Sequence, residues 1–189
     1  MPISVSTKAS HFPISLEEAK EHLRVTDTNS DSYIQGLIAA VTQEVEDYTG
    51  RTLITTQYSW KMDCFPNSYE LYVPKGPLQA VSSITYIDTD ESTDTWGSTY
   101  YSYDTVSMPG RIYPAYQETW PVTLDIQNAV TVTYTAGQSS HMGGVPEMLK
   151  MAMKWKIHDY WFGRSGSAAQ STVSDSVLTQ FKIPSFEGY

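Results

Sequence analysis

IQGLIAAVTQEVEDYTGRTLITTQYSWKMD, residues 34–63, holds the change of pattern that decides the fold. In its first half Ile34, Leu37, Ile38, Val41, Val45 and Tyr48 recur at helical spacing. Ser30 or Asp31 is placed to cap this run and Gly50 to stop it, so the pattern predicts a helix over 31–49. From Thr52 the period drops to that of a strand: Tyr58, Trp60 and Met62 alternate with Ser59, Lys61 and Asp63. A helix that hands over to alternating sequence within a few residues predicts an α+β chain.

Working outward, ISLEEAKEHLRV at 14–25 has Ser15 with Glu18 as a capping box, Ile14 as a hydrophobic staple, and Leu16, Ala19 and Leu23 on one face. A short helix over 16–24 follows, behind an N-terminal arm of residues 1–13. On the other side YELYV, VSSITYID, STYYSY, RIY and AVTVTYT read as further short strands separated by turns such as PKGP and MPG. With no helix between them they predict a small, mainly antiparallel β region over 52–136. Pro146 then fits a first helical position, and no breaker intervenes before Gly163, so a long helix over 146–162 is expected. It is apolar on more than one side, which predicts a place sandwiched between the sheet and other helices or a second chain. The N-terminal helices and this long helix are expected to form a bundle, with residues 14–163 as one folded unit.

Residues 164–189 are expected to be an extended tether and docking tail. GRSGSAAQSTVSDS is too small and polar to bury much apolar area, whereas VLTQFKIPSFEGY carries Val177, Leu178, Phe181, Ile183, Phe186 and Tyr189. These anchors have no evident place to pack within the domain, so Phe181, Ile183, Phe186 and Tyr189 are read as contacts to another protein.

The formal charge of −9 on 189 residues argues against gripping nucleic acid by its phosphates. Cys64 is the only cysteine, so packing alone must hold the fold, as suits a reducing cytosol. No stretch approaches the length of an apolar membrane span, and MPISVSTKASHF lacks the regions of a signal peptide, so a soluble protein is expected.

Enzyme motifs are absent: there is no G-x-S-x-G, Walker loop, G-x-G-x-x-G or H-E-x-x-H, and the histidines are scattered relative to Cys64. No enzymatic activity and no cofactor are expected. The metal candidate is DTDESTD, where Asp88, Asp90, Ser92 and Asp94 match the first oxygen ligands of a calcium loop. The match fails at Thr93, where glycine belongs, and at Thr99, where glutamate belongs; a solvated acidic hairpin is the plainer reading. Lys150, Lys154 and His158 make one polar stripe on the last helix, either a solvated edge or a contact to phosphates through Lys150 and Lys154. The tyrosine wealth, fourteen in all, suits cores and protein interfaces, with a glycan-stacking module as the reading from another class. PGRIYPAYQETWP at 109–121 is stiffened by prolines; it is either a packed loop or a pre-ordered contact through Tyr116 and Trp120.

Taken in order, ISLEEAKEHLRV, IAAVTQEVEDYTGRTLITTQYSW, PLQAVSSITYID, PGRIYPAYQETWP, NAVTVTYTAG and VPEMLKMAMKWKIHDYW resemble the head-tail connector, or adaptor, proteins of long-tailed bacteriophages and gene transfer agents. The resemblance runs from about Ile14 to Arg164. It implies a structural ring, commonly of twelve subunits, in the virion neck beneath the portal protein, continuing the DNA channel and carrying the stopper or tail. It also implies a helical bundle with a small β part, neighbouring copies as partners, and DNA passing without specific binding. A stopper or tail-completion protein is the rival reading within such a particle.

Overall fold

The computed structural model describes residues 2–163 and 172–183. These divide into two compact units where one folded unit was expected: residues 2–8 with Thr55–Gly137, and Ala9–Ile54 with 138–163 and 172–183. The physical reason is the pattern change itself. Helical and alternating segments bury different kinds of face, and each set closes a core of its own.

In the helical unit α1 spans Leu16–Leu23, α2 Asp31–Thr49, α3 Glu147–Gly163 and α4 Thr172–Gln180, with a 3-10 turn at Met142–Gly144. The capping box of α1 is present in full: Ser15 Oγ accepts from Glu18 N at 3.1 Å and Glu18 Oε2 accepts from Ser15 N at 3.0 Å. A cap of this kind stabilises a helix by about 1 kcal/mol. Gly50 ends α2 in the left-handed region at φ 68°. Ser30 sits at the cap position of α2 without a side-chain hydrogen bond. The predicted faces meet: Ile34, Ile38, Val41 and Val45 of α2 pack with Ala19 and Leu23 of α1 and with Leu149, Ala152, Met153 and Ile157 of α3.

The largest departure lies at the C-terminal end. Residues 172–180, read partly as tether, form α4, and its Val177 and Leu178 join the helical core. The low apolar content of 163–176 concealed a helix that rests on two buried apolar side chains and the tertiary contacts described below.

The sheet unit is antiparallel throughout. β1 (Ile3–Thr7), β2 (Thr56–Met62), β8 (Val130–Ala136), β4 (Leu78–Ile87) and β5 (Thr93–Trp96) form one sheet in the order β1-β2-β8-β4-β5. β3 (Leu71–Tyr72), β7 (Arg111–Pro114) and β6 (Tyr101–Asp104) form a second sheet in the order β3-β7-β6. β2 and β8 alternate as expected, with Tyr58, Trp60, Met62, Val130, Val132, Tyr134 and Ala136 inward. Leu71, Tyr101 and Ile112 from the second sheet complete that core. The expected N-terminal arm is thus partly strand, because ISVST is β-branched and alternating and β2 offers it an edge.

Candidate assembly surface

The PGR turn shows how the sheet unit positions its loops. A Cβ on Gly110 would stand 2.5 Å from Leu78 Cβ and 3.3 Å from the Asp104 carbonyl, so only glycine fits the approach of this turn to β4. The Gly110 carbonyl accepts from Val73 N at 3.0 Å. Next to it the Arg111 guanidinium spans two carboxylates, Glu70 at 2.8 Å from one terminal nitrogen and Asp104 at 2.8 Å from the other. Ser107 Oγ donates to Asp104 at 2.6 Å. Hydrogen bonds from Ser107 and then Arg111 hold the Asp104 carboxyl well below the usual carboxylate range. This network joins β6, β7, the loop after β6 and the residue before β3.

Beyond it, the stiff loop separates its two aromatic candidates. Trp120 turns inward: its ring stacks on Phe65 at 5.0 Å and 16°, lies 5.2 Å from Trp96, and its Nε1 donates to the Ser68 carbonyl at 2.8 Å. Tyr116 points out and is 89% exposed, as are Val106 at 89% and Val122 at 76%. A packed loop and an exposed contact were alternatives in the sequence; Trp120 packs and Tyr116 is exposed.

In the acidic loop Asp88 accepts from Asp90 N, Ser92 N and Ser92 Oγ at 2.9–3.0 Å, which braces the turn between β4 and β5. The backbone and then the hydroxyl of Ser92 lower the Asp88 carboxyl. Asp94 lies in β5 itself. Among the described residues no cluster of three or more His, Cys, Asp or Glu side chains has the arrangement of a metal site.

In the helical unit the lysine stripe is not a solvated edge. Lys150 is buried and pairs with Glu147 at 2.6 Å, while Lys154 is mostly covered and stands 3.7 Å from Glu18. The inherently long α3 turns those residues toward α1, because its face is set by Leu149, Ala152, Met153 and Ile157. Its exposed apolar residues are instead Met148, Met151, Tyr160 and Phe162.

Phe181 and Ile183 correct the reading of the tail as unsupported. Phe181 packs on the helical core and Ile183 is buried, donating through its N–H to the Thr49 carbonyl at 2.8 Å. Arg51, from the YTGR motif, donates through Nε to the Phe181 carbonyl at 2.6 Å. Tyr48 and Thr179 share a hydroxyl hydrogen bond at 2.8 Å. Lys156 completes the clamp, 2.9 Å from Glu44 and 3.0 Å from Asp175 of α4. Burial opposes its charge, but the hydrogen bonds to Glu44 and Asp175 outweigh this and raise its pKa. No sequence signal marked these partners, since all but the pair Lys156 and Asp175 are more than a hundred residues apart. Phe186 and Tyr189 lie outside the described residues.

The family model for head completion proteins matches residues 13–185. A comparison with curated proteins found no match. The fold is similar to a chain in the neck of an empty gene transfer agent particle computed with C6 symmetry, at TM-score 0.85 and 15% identity, covering 100% of this chain and 99% of that one. It is also similar to a chain in the virion of a native gene transfer agent, at TM-score 0.84 and 15% identity with the same coverage of 100% and 99%. A third similar chain, from the native neck computed with C12 symmetry, gives TM-score 0.76 and 17% identity over 100% of this chain and 99% of that one.

Proposed function

We propose, because this chain belongs to the head completion protein family, that it is a structural adaptor in the neck of a tailed phage or gene-transfer-agent-like particle. Copies of the chain form a ring beneath the portal that extends the DNA channel and carries the stopper or tail. The observation that carries this reading is the coverage of the likeness: both units, not one module, correspond to chains from particle necks. The necks' C6 and C12 symmetry supports a ring, and a ring needs two different complementary patches on each subunit. Net charge −9 suits a conduit through which DNA moves without being held.

Within this reading Tyr116 is a contact to a neighbouring subunit or tail protein, its loop pre-ordered by the packing of Trp120. The docking tail shortens to residues 184–189, with Phe186 and Tyr189 as its anchors. Removal of everything after Gly163 would strip buried Val177, Leu178 and Ile183 from the helical unit, so a truncation that tests docking falls after Ile183.

Negative-stain imaging of the purified protein mixed with portal rings tests the function. A coaxial ring added to the portal is expected. Retention on a glycan column, with no portal-bound density, would replace the adaptor by a binding module.

A further inference from the structure

Among the described residues the five-stranded sheet ends in two edge strands of unlike character. β1 carries no charged residue in Ile3–Thr7, is mostly exposed, and has Val5 at 54% exposure. Its only device against edge pairing is the irregularity between Val5 and Thr7. Lysines flank it: Lys8 follows the strand, and Lys61 on the neighbouring β2 donates its backbone N–H to the Pro2 carbonyl at 3.0 Å. The opposite edge, β5, contains Asp94 and follows Asp88, Asp90 and Glu91.

Topology adds a second constraint. Five strands alternating in direction leave β1 and β5 running the same way. A two-fold axis would set β1 against β1. Rotation about an axis inclined along the strands sets β5 of one copy beside β1 of the next without reversing either, which is the head-to-tail contact of a ring. The cross-strand row Ile3, Trp60, Val132, Ile84, Trp96 places Trp96, the last residue of β5, level with Ile3, the first of β1. A tilt of the strands against the ring axis, as in closed barrels, brings the two edges into register.

We infer that the outer edge of β1 receives β5 of a neighbouring copy, Lys61 beside the start of β1 facing the acids around Asp94, so that the sheets join from subunit to subunit. The inference rests on the adaptor reading and deepens it. Its occupant is a second copy because both edges and both charges belong to this chain.

The test is cross-linking in assembled particles made by the genome that encodes the chain. Ser4→Cys and Thr95→Cys are combined on a Cys64→Ser background and treated with a short bis-maleimide. Both positions are exposed, and within one subunit they are separated by four strand spacings, roughly 19 Å, beyond the linker's reach. A ladder of covalent multimers is expected. Particles that contain the protein only as monomer overturn the inference, as do dimers from Ser4→Cys alone or links from Ser4→Cys to a different protein. Val5→Lys provides the companion measurement: at unchanged melting temperature, incorporation into particles should fall at least tenfold, and wild-type incorporation overturns the inference. Particles that lack the wild-type chain altogether sink the adaptor reading itself, and the inference with it.

Discussion

Trp120→Ala distinguishes scaffold from contact in the stiff loop. Trp120 is half-buried, stacks on Phe65 at 5.0 Å, approaches Trp96 at 5.2 Å, and donates to the Ser68 carbonyl. Deleting a large aromatic from a core costs about 3–5 kcal/mol; half-burial places this one at the lower end, about 3 kcal/mol. For a chain of this size each kcal/mol shifts Tm by about 2–4 °C, so the midpoint should fall by roughly 6–12 °C. Trp120→Phe keeps a stacking ring and loses one partly exposed hydrogen bond, about 1 kcal/mol, hence roughly a third of that shift. Scanning calorimetry supplies the midpoints, and near-ultraviolet dichroism reports the aromatic cluster directly. If Trp120→Ala melts within about 1 °C of the parent yet fails to join portal rings, the residue acts at an interface and the packing argument is wrong.

Gly110→Ala should cost about 1–3 kcal/mol in urea unfolding, because the new Cβ meets Leu78 Cβ at 2.5 Å and β4 or the turn must move. Asp104→Asn should flatten the acid limb of the Tm profile. The folded carboxyl is depressed, so its stabilisation is present above the unfolded value of about 3.9 and is lost as pH falls through the lower folded value. Unchanged acid sensitivity below pH ~4 would remove Asp104 as its source. Lys156→Met should leave Glu44 and Asp175 without their shared cation and loosen α4; hydrogen exchange is expected to rise across 175–180 while α2 stays protected. Equal protection of α4 in both proteins would show that its apolar contacts suffice.

The amino-acid sequence by itself determined the elements whose reasons are local. Ser15 and Glu18 wrote the start of α1, the apolar period of Ile34 to Val45 and Gly50 wrote α2, and alternation in QYSWKMD and AVTVTYT wrote β2 and β8. The family, too, was legible in the order of these pieces, and the match over residues 13–185 shows it. Tertiary structure alone decided what depends on distant partners. Trp120 and Tyr116 sit four residues apart with similar chemistry, yet only Trp120 meets Phe65 and Trp96. Lys150 looks solvated in a helical stripe until α3 turns it inward. α4 has weak local signals, and its helix exists because Lys156, Tyr48 and Arg51 hold a segment whose own apolar area is small. Short-range propensities fix where a chain bends and which face is apolar. Which of several apolar faces is covered is settled only when residues far apart in sequence compete for the same core.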